Sequence, residues 1–138
     1  MKRSISIAFC AILLISLFCG PAKAATYSSE YLRYYNASLS TGKYSGELSL
    51  NFDAYARDSM TSIGVSRIDV YSSDGSFVKS VNGSTSNGLL ASGTSIHSGT
   101  HTIKVSSGQR YYLEVTFIAK NSLGSDSKWT TTNTATAR

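Results

Sequence analysis

The sequence predicts an all-β protein built as a single antiparallel β-sandwich of about seven strands. Three observations predict it. Beyond residue 24, apolar side chains recur at every second position, in runs bounded by Gly, Asn, Asp and Ser. That is the period of a strand with one face buried. No stretch there keeps helical spacing for more than two turns. Tyr, Thr and Val, which suit a pleated, half-buried surface, are plentiful, with nine tyrosines in the chain.

The strands follow in order. Tyr35, Ala37 and Leu39 form the first run, which ends at Thr41-Gly42. In the second, Gly46, Leu48, Leu50, Phe52 and Ala54 alternate with Glu47, Ser49, Asn51 and Asp53, the pattern of a strand with one wet face. Residues 55–62 read as a long loop or one helical turn. Ile68 and Val70 mark the third strand, with Gly64 and Ser66 extending it on the same side and Arg67, Asp69 and Tyr71 opposite. Ser73-Asp74-Gly75-Ser76 is a tight turn, since Asp-Gly supplies the positive φ of a hairpin. Phe77 to Val81 is the return strand, closed by Asn82-Gly83, and residues 84–95 form a low-complexity link. Thr100 to Val105 comes next, then a turn at Ser106-Ser107-Gly108. Tyr111, Leu113, Val115, Phe117 and Ala119 make the longest alternating run, and the last strand is expected over Lys128 to Ala137. Seven short strands with turns between them suggest an immunoglobulin-like sandwich. A small closed barrel is the alternative.

The first 24 residues predict a destination. A basic start, Met1-Lys2-Arg3-Ser4, precedes an apolar run from Ile5 to Phe18, a break at Gly20-Pro21 and small residues at Ala22 and Ala24. This is the layout of a secretory signal peptide, with cleavage expected between Ala24 and Ala25. The apolar run falls short of the roughly 20 residues that span a bilayer. Cys19 follows Phe18 rather than a small residue, which argues against a lipid anchor. The expected product is residues 25–138, one domain, secreted, with no membrane span after cleavage.

Removing the leader changes the charge. The chain carries 13 Lys+Arg against 8 Asp+Glu, a formal +5. Lys2, Arg3 and Lys23 leave with the leader, so about +2 remains, and no two of the remaining basic residues are adjacent. That does not build the phosphate-tracking patch nucleic acid requires. Both cysteines, Cys10 and Cys19, leave as well, so the core must hold without disulfides.

Enzymatic chemistry finds no support in the motifs. His97 and His101 are the only histidines, and they fall in a Ser/Gly-rich stretch read as solvated loop, with no third metal ligand nearby. No serine sits in a G-x-S-x-G context. The acidic residues occupy turns or outward strand positions, not a pair across a cleft. No D-x-D-x-D run provides a calcium loop. No cofactor or metal is expected.

Residues 111–127, YYLEVTFIAKNSLGSDS, resemble the penultimate strand and following turn of a fibronectin type III domain. Ala119, Asn121, Gly124 and Asp126-Ser127 carry the likeness. Leu113 stands where that family has a tyrosine, and its early core tryptophan has no counterpart, since Trp129 lies near the end. The whole chain resembles small secreted proteins of Gram-positive bacteria in which a signal peptide precedes one immunoglobulin-like sandwich. These resemblances imply a fold and transfer no site residues.

The aromatic residues remain as the functional candidates. Tyr and Trp give large contact area at low entropic cost and are enriched at recognition surfaces. Tyr34, Tyr55, Tyr71 and Trp129 are the candidate ligand-contact residues. The expectation is a secreted, non-enzymatic binding or cell-surface interaction module for an extracellular glycan or protein. The alternatives are a self-associating structural or matrix component, pairing through the Thr-rich 130–136 segment, and a small secreted toxin with a membrane hairpin over Ser84 to Gly99.

Overall fold

The structure, a computed structural model, describes residues 31–138. The expected leader and its cleavage site lie outside the described residues. Nine strands follow one another and no helix forms among these residues: β1 (Leu32–Thr41), β2 (Glu47–Met60), β3 (Ser62–Ser72), β4 (Phe77–Asn82), β5 (Leu90–Ala91), β6 (Thr94–Lys104), β7 (Arg110–Lys120), β8 (Ser125–Thr131) and β9 (Ala135–Thr136). Seven are long, and β5 and β9 are two-residue additions.

The strands form two antiparallel sheets. One has the order β1-β2-β6; the other has β4-β3-β7-β8, with β5 added to β3 and β9 to β7. The sheets do not close on each other, so the barrel alternative is excluded and the architecture is a sandwich. Its core is the set of alternating side chains from both inner faces. Leu48, Leu50, Phe52 and Ala54 of β2 meet Leu113, Val115, Phe117 and Ala119 of β7, all buried.

Several turns form as their residues dictate. Gly75 takes a φ of +91°, and the Ser76 N–H bonds the Asp74 carboxylate at 2.9 Å. That bond holds the Asp74 carboxyl below the usual carboxylate range.

The structure corrects the sequence reading in four places. Residues 55–60 are strand, neither loop nor helical turn, and β2 runs on to Met60, which is buried. Only Thr61 then separates β2 from β3, so the chain changes sheets in one sharp step. In β3 the core side is taken by Ile63 and Val65, then by Ile68 and Val70, not by Gly64 and Ser66. A register shift between Val65 and Arg67 reverses the alternation at Ser66, as a bulge does. Gly83 lies against this bulge, its N–H bonded to the Ser66 carbonyl at 2.8 Å. The proposed single last strand divides into β8 and β9, both paired with β7. Finally, β6 begins at Thr94, well before the expected Thr100.

That longer β6 moves both histidines out of a loop. His97 and His101 pair with Ala54 and Leu50, whose side chains are in the core, so both take core-side positions and are half-buried. The His97 Nε2 lies 2.8 Å from the Gly88 carbonyl, and its ring meets Phe52 edge-on at 5.3 Å. Four residues along a strand is about 13 Å, too far for two side chains to share one ion.

Candidate functional site

Each sheet presents one outer face, and the four candidate aromatic residues divide between them. Tyr34 and Tyr55 belong to the three-stranded sheet, where they pair directly. Their rings lie 5.4 Å apart and tilted. Tyr55 pairs in turn with Ile96 of β6. A row Tyr34–Tyr55–Ile96 thus crosses all three strands, and its side chains are 51%, 37% and 53% exposed. The alternation puts them there: Tyr35, Ala54 and His97, one residue on, face the sandwich interior.

Moving along the strands, the same face continues in rows of small polar side chains. Asn36–Asp53–Ser98 comes first, then Ser38–Asn51–Thr100, then Ser40–Ser49–Thr102. Among these nine side chains Asp53 is the single charge. Protein surfaces are commonly about a quarter to a third charged, so these three rows are markedly neutral, and charge returns in the next row, where Glu47 pairs with Lys104. The Thr100 hydroxyl donates to Asn51 Oδ1 at 2.7 Å, an example of the cross-strand order in these rows. Register is unbroken through all of them, and the shifts in this sheet fall at its far end, beyond the aromatic row.

Tyr71 and Trp129 lie on the outer face of the other sheet. Tyr71 pairs with Tyr112 on one side and Phe77 on the other. Its ring stacks on Tyr112 at 5.3 Å with 10° between planes, and Phe77 meets it edge-on at 5.8 Å. The Tyr71 hydroxyl donates to Glu114 Oε2 at 3.4 Å. Burial among these groups, then the Glu114 carboxylate, raises the Tyr71 phenol above its ordinary value.

The next row carries Asp69 and Glu114, and the one beyond carries Arg67 and Thr116. Arg67 and Asp69 form an ion pair at 2.9 Å, and the Ser80 hydroxyl bonds the same carboxylate. Trp129 pairs with Thr116 at this far row, 64% exposed. Charged side chains therefore separate it from Tyr71.

The four candidates do not form one site: two pairs of elements hold them, on opposite sides of the molecule. No enclosed pocket forms among the described residues, and no three His, Cys, Asp or Glu side chains gather there. Ile96 is a partner of the tyrosines that a strand beginning at Thr100 leaves out, whereas β6 begins at Thr94. Once Ile103 is on the core side, Ile96, an odd number of residues away, must face out.

No family model, curated protein or solved structure matches this chain.

Proposed function

We propose that the chain is a secreted, non-enzymatic binding module that holds a neutral polysaccharide on the outer face of its three-stranded sheet. The observation that carries this reading is the exposed Tyr34–Tyr55–Ile96 row beside three rows of hydroxyl and amide side chains with one charge. A sugar offers apolar C–H faces and a perimeter of hydroxyls. Aromatic rings take the former, and Asn, Ser, Thr and Asp side chains exchange hydrogen bonds with the latter. A neutral face also avoids the cost of stripping water from charges that an uncharged ligand does not replace.

An immunoglobulin-like fold of the fibronectin type III kind is part of the same reading. The order β1-β2-β6 against β4-β3-β7-β8 supports it, because β2 and β6, and β3 and β7, are neighbours from distant parts of the chain. Export is proposed from the residues 1–24 alone, and the mass of the mature protein, beginning at Ala25, tests it.

Co-sedimentation with insoluble neutral polysaccharides tests the binding. Tyr55→Ala is expected to weaken retention by about tenfold or more, a factor that corresponds to 1.4 kcal/mol. Equal retention of wild type and Tyr55→Ala, or retention of neither, would overturn it.

A further inference from the structure

A strand at the margin of a sheet exposes unpaired N–H and C=O groups, and proteins blunt such edges with charges, bulges or a covering segment. Three of the four edges here are blunted. β1 has a register shift at Arg33, and Asn133 clasps its margin at Leu39, accepting the N–H at 2.9 Å and donating to the carbonyl at 2.8 Å. Asp126 accepts the N–H groups of Tyr31 and Leu32 at the other end. β4 has six residues, an irregularity beside Tyr71, and Lys79 at a core-side position opposite Val70. β8 has seven residues, with Lys128 at a core-side position opposite Phe117.

β6 has none of these devices between Ile96 and Ile103. It is 11 residues long, and from Thr94 to Ile103 it contains no Asp, Glu, Lys, Arg or Pro. It pairs with β2 from Lys104 to Ile96 without a register shift, and the one shift in this pairing falls at its start, between Thr94 and Ile96. The Val105 N–H bonds the Gly46 carbonyl, toward β2. Odd-numbered residues therefore direct their backbone groups to β2, and even-numbered residues direct theirs to the open margin.

Only the two ends of that margin are closed. Thr94 Oγ1 bonds both the N–H and the carbonyl of Ile96, at 3.2 and 3.0 Å. The Lys79 ammonium bonds the Lys104 carbonyl. Between them Ser98, Thr100 and Thr102 are exposed and turn their backbone groups to no described partner.

We infer that this margin pairs with a second copy of the chain, β6 against β6, antiparallel about a two-fold axis at Thr100. The occupant follows from the symmetry of the open stretch. Thr100 is equidistant in sequence from the closed positions Ile96 and Lys104, so in this register the closed ends face each other and the open groups face open groups. Thr100 meets Thr100 of the second copy, a favourable cross-strand pair, and Ser98 meets Thr102. No like charges oppose one another in the paired stretch. The contact is isologous and closes as a dimer, because the other edges are blunted. It joins the two three-stranded sheets into one and extends the neutral face across both copies. This inference stands apart from the polysaccharide reading, and its readout is association state, not ligand retention.

Sedimentation velocity of the purified chain over its soluble concentration range tests it. Wild type is expected to shift from monomer to dimer as concentration rises. Thr100→Pro removes an outward N–H without touching the β2 ladder and should leave a monomer with an unchanged β-sheet circular dichroism spectrum. Ser98→Lys should do the same by placing a charge on the margin, and it decides the matter if the proline variant misfolds. Thr131→Lys adds the same charge to the β8 edge and should still dimerise. A wild type that stays monomeric throughout would sink the inference, as would dimers that persist in Ser98→Lys.

Discussion

The outer faces of the two sheets use similar residue types and arrive at opposite conditions. On the six-stranded side, Tyr71 is held between Tyr112 and Phe77, its hydroxyl meets Glu114, and Arg67 is paired with Asp69. Those groups satisfy one another. On the three-stranded side, the rings of Tyr34 and Tyr55 touch each other and otherwise face solvent, in a row with Ile96. The difference follows from regularity. The six-stranded sheet carries shifts at Ser66 and beside Tyr71, and each re-aims the side chains near it. The three-stranded sheet keeps its register through four successive rows, so its side chains stand in parallel files. Both sheets carry two shifts, but those of the three-stranded sheet lie at one end, beyond Tyr34 and Tyr55, so the rows of its outer face stay in register.

The largest expected effect breaks the irregular side. A Cβ added at Gly83 would lie 1.8 Å from the Val65 carbonyl oxygen, a backbone atom, so the backbone must shift to admit it. Gly83→Ala must push β4 away from the Ser66 bulge. It is expected to cost about 1–3 kcal/mol, the usual range for forced overpacking. A lower midpoint in urea with an unchanged slope would show it. A midpoint within error of wild type would mean the bulge is soft, and the contrast in rigidity between the sheets would fall.

A pair of substitutions next separates the two faces. Tyr55→Ala should lose polysaccharide retention by about tenfold while its urea midpoint moves less than that of Tyr71→Ala, since Tyr55 meets one aromatic ring where Tyr71 meets two. Tyr71→Ala should do the reverse, losing about 1 kcal/mol of stability with its aromatic contacts and keeping full retention. Retention lost in Tyr71→Ala but kept in Tyr55→Ala would transfer the ligand to the other side of the molecule.

Much of this contrast was legible in the sequence, though not the part that decides it. The alternation of Glu47 to Ala54 and of Tyr111 to Ala119 named both central strands and their buried faces, because a period of two has one solution when one side is wet. Ser66 was misjudged because a bulge inserts a residue without a distinctive residue type. Residues 55–60 were misjudged because Arg57, Asp58 and Ser59 are exposed there, and an exposed strand end has no buried partner to reveal its period. Tyr55 and Tyr71 were recognisable as outward aromatic residues, whereas the exposure of Tyr34 and Trp129 was not. Nor was the division of the four between two sheets, because pairing between distant strands leaves no mark on local spacing.

The smallest effect concerns Tyr71, and it reads the closed face directly. Burial beside Tyr112 and Phe77 disfavours the phenolate, and the Glu114 carboxylate adds repulsion, so the folded phenol titrates above its unfolded value of 10.0. A raised value means that the unfolded chain loses its proton first as pH climbs. The stabilisation is fully present below pH 10.0 and is lost as pH rises through the folded value. Ultraviolet titration of the phenols should therefore show a late-ionising tyrosine that disappears in Tyr71→Phe. Glu114→Gln should move that late phase to lower pH by removing the charge while keeping an acceptor in reach. A late phase that survives Tyr71→Phe would mean that the outer face of the six-stranded sheet is looser than its stacked rings imply, and the distinction between the two faces would narrow accordingly.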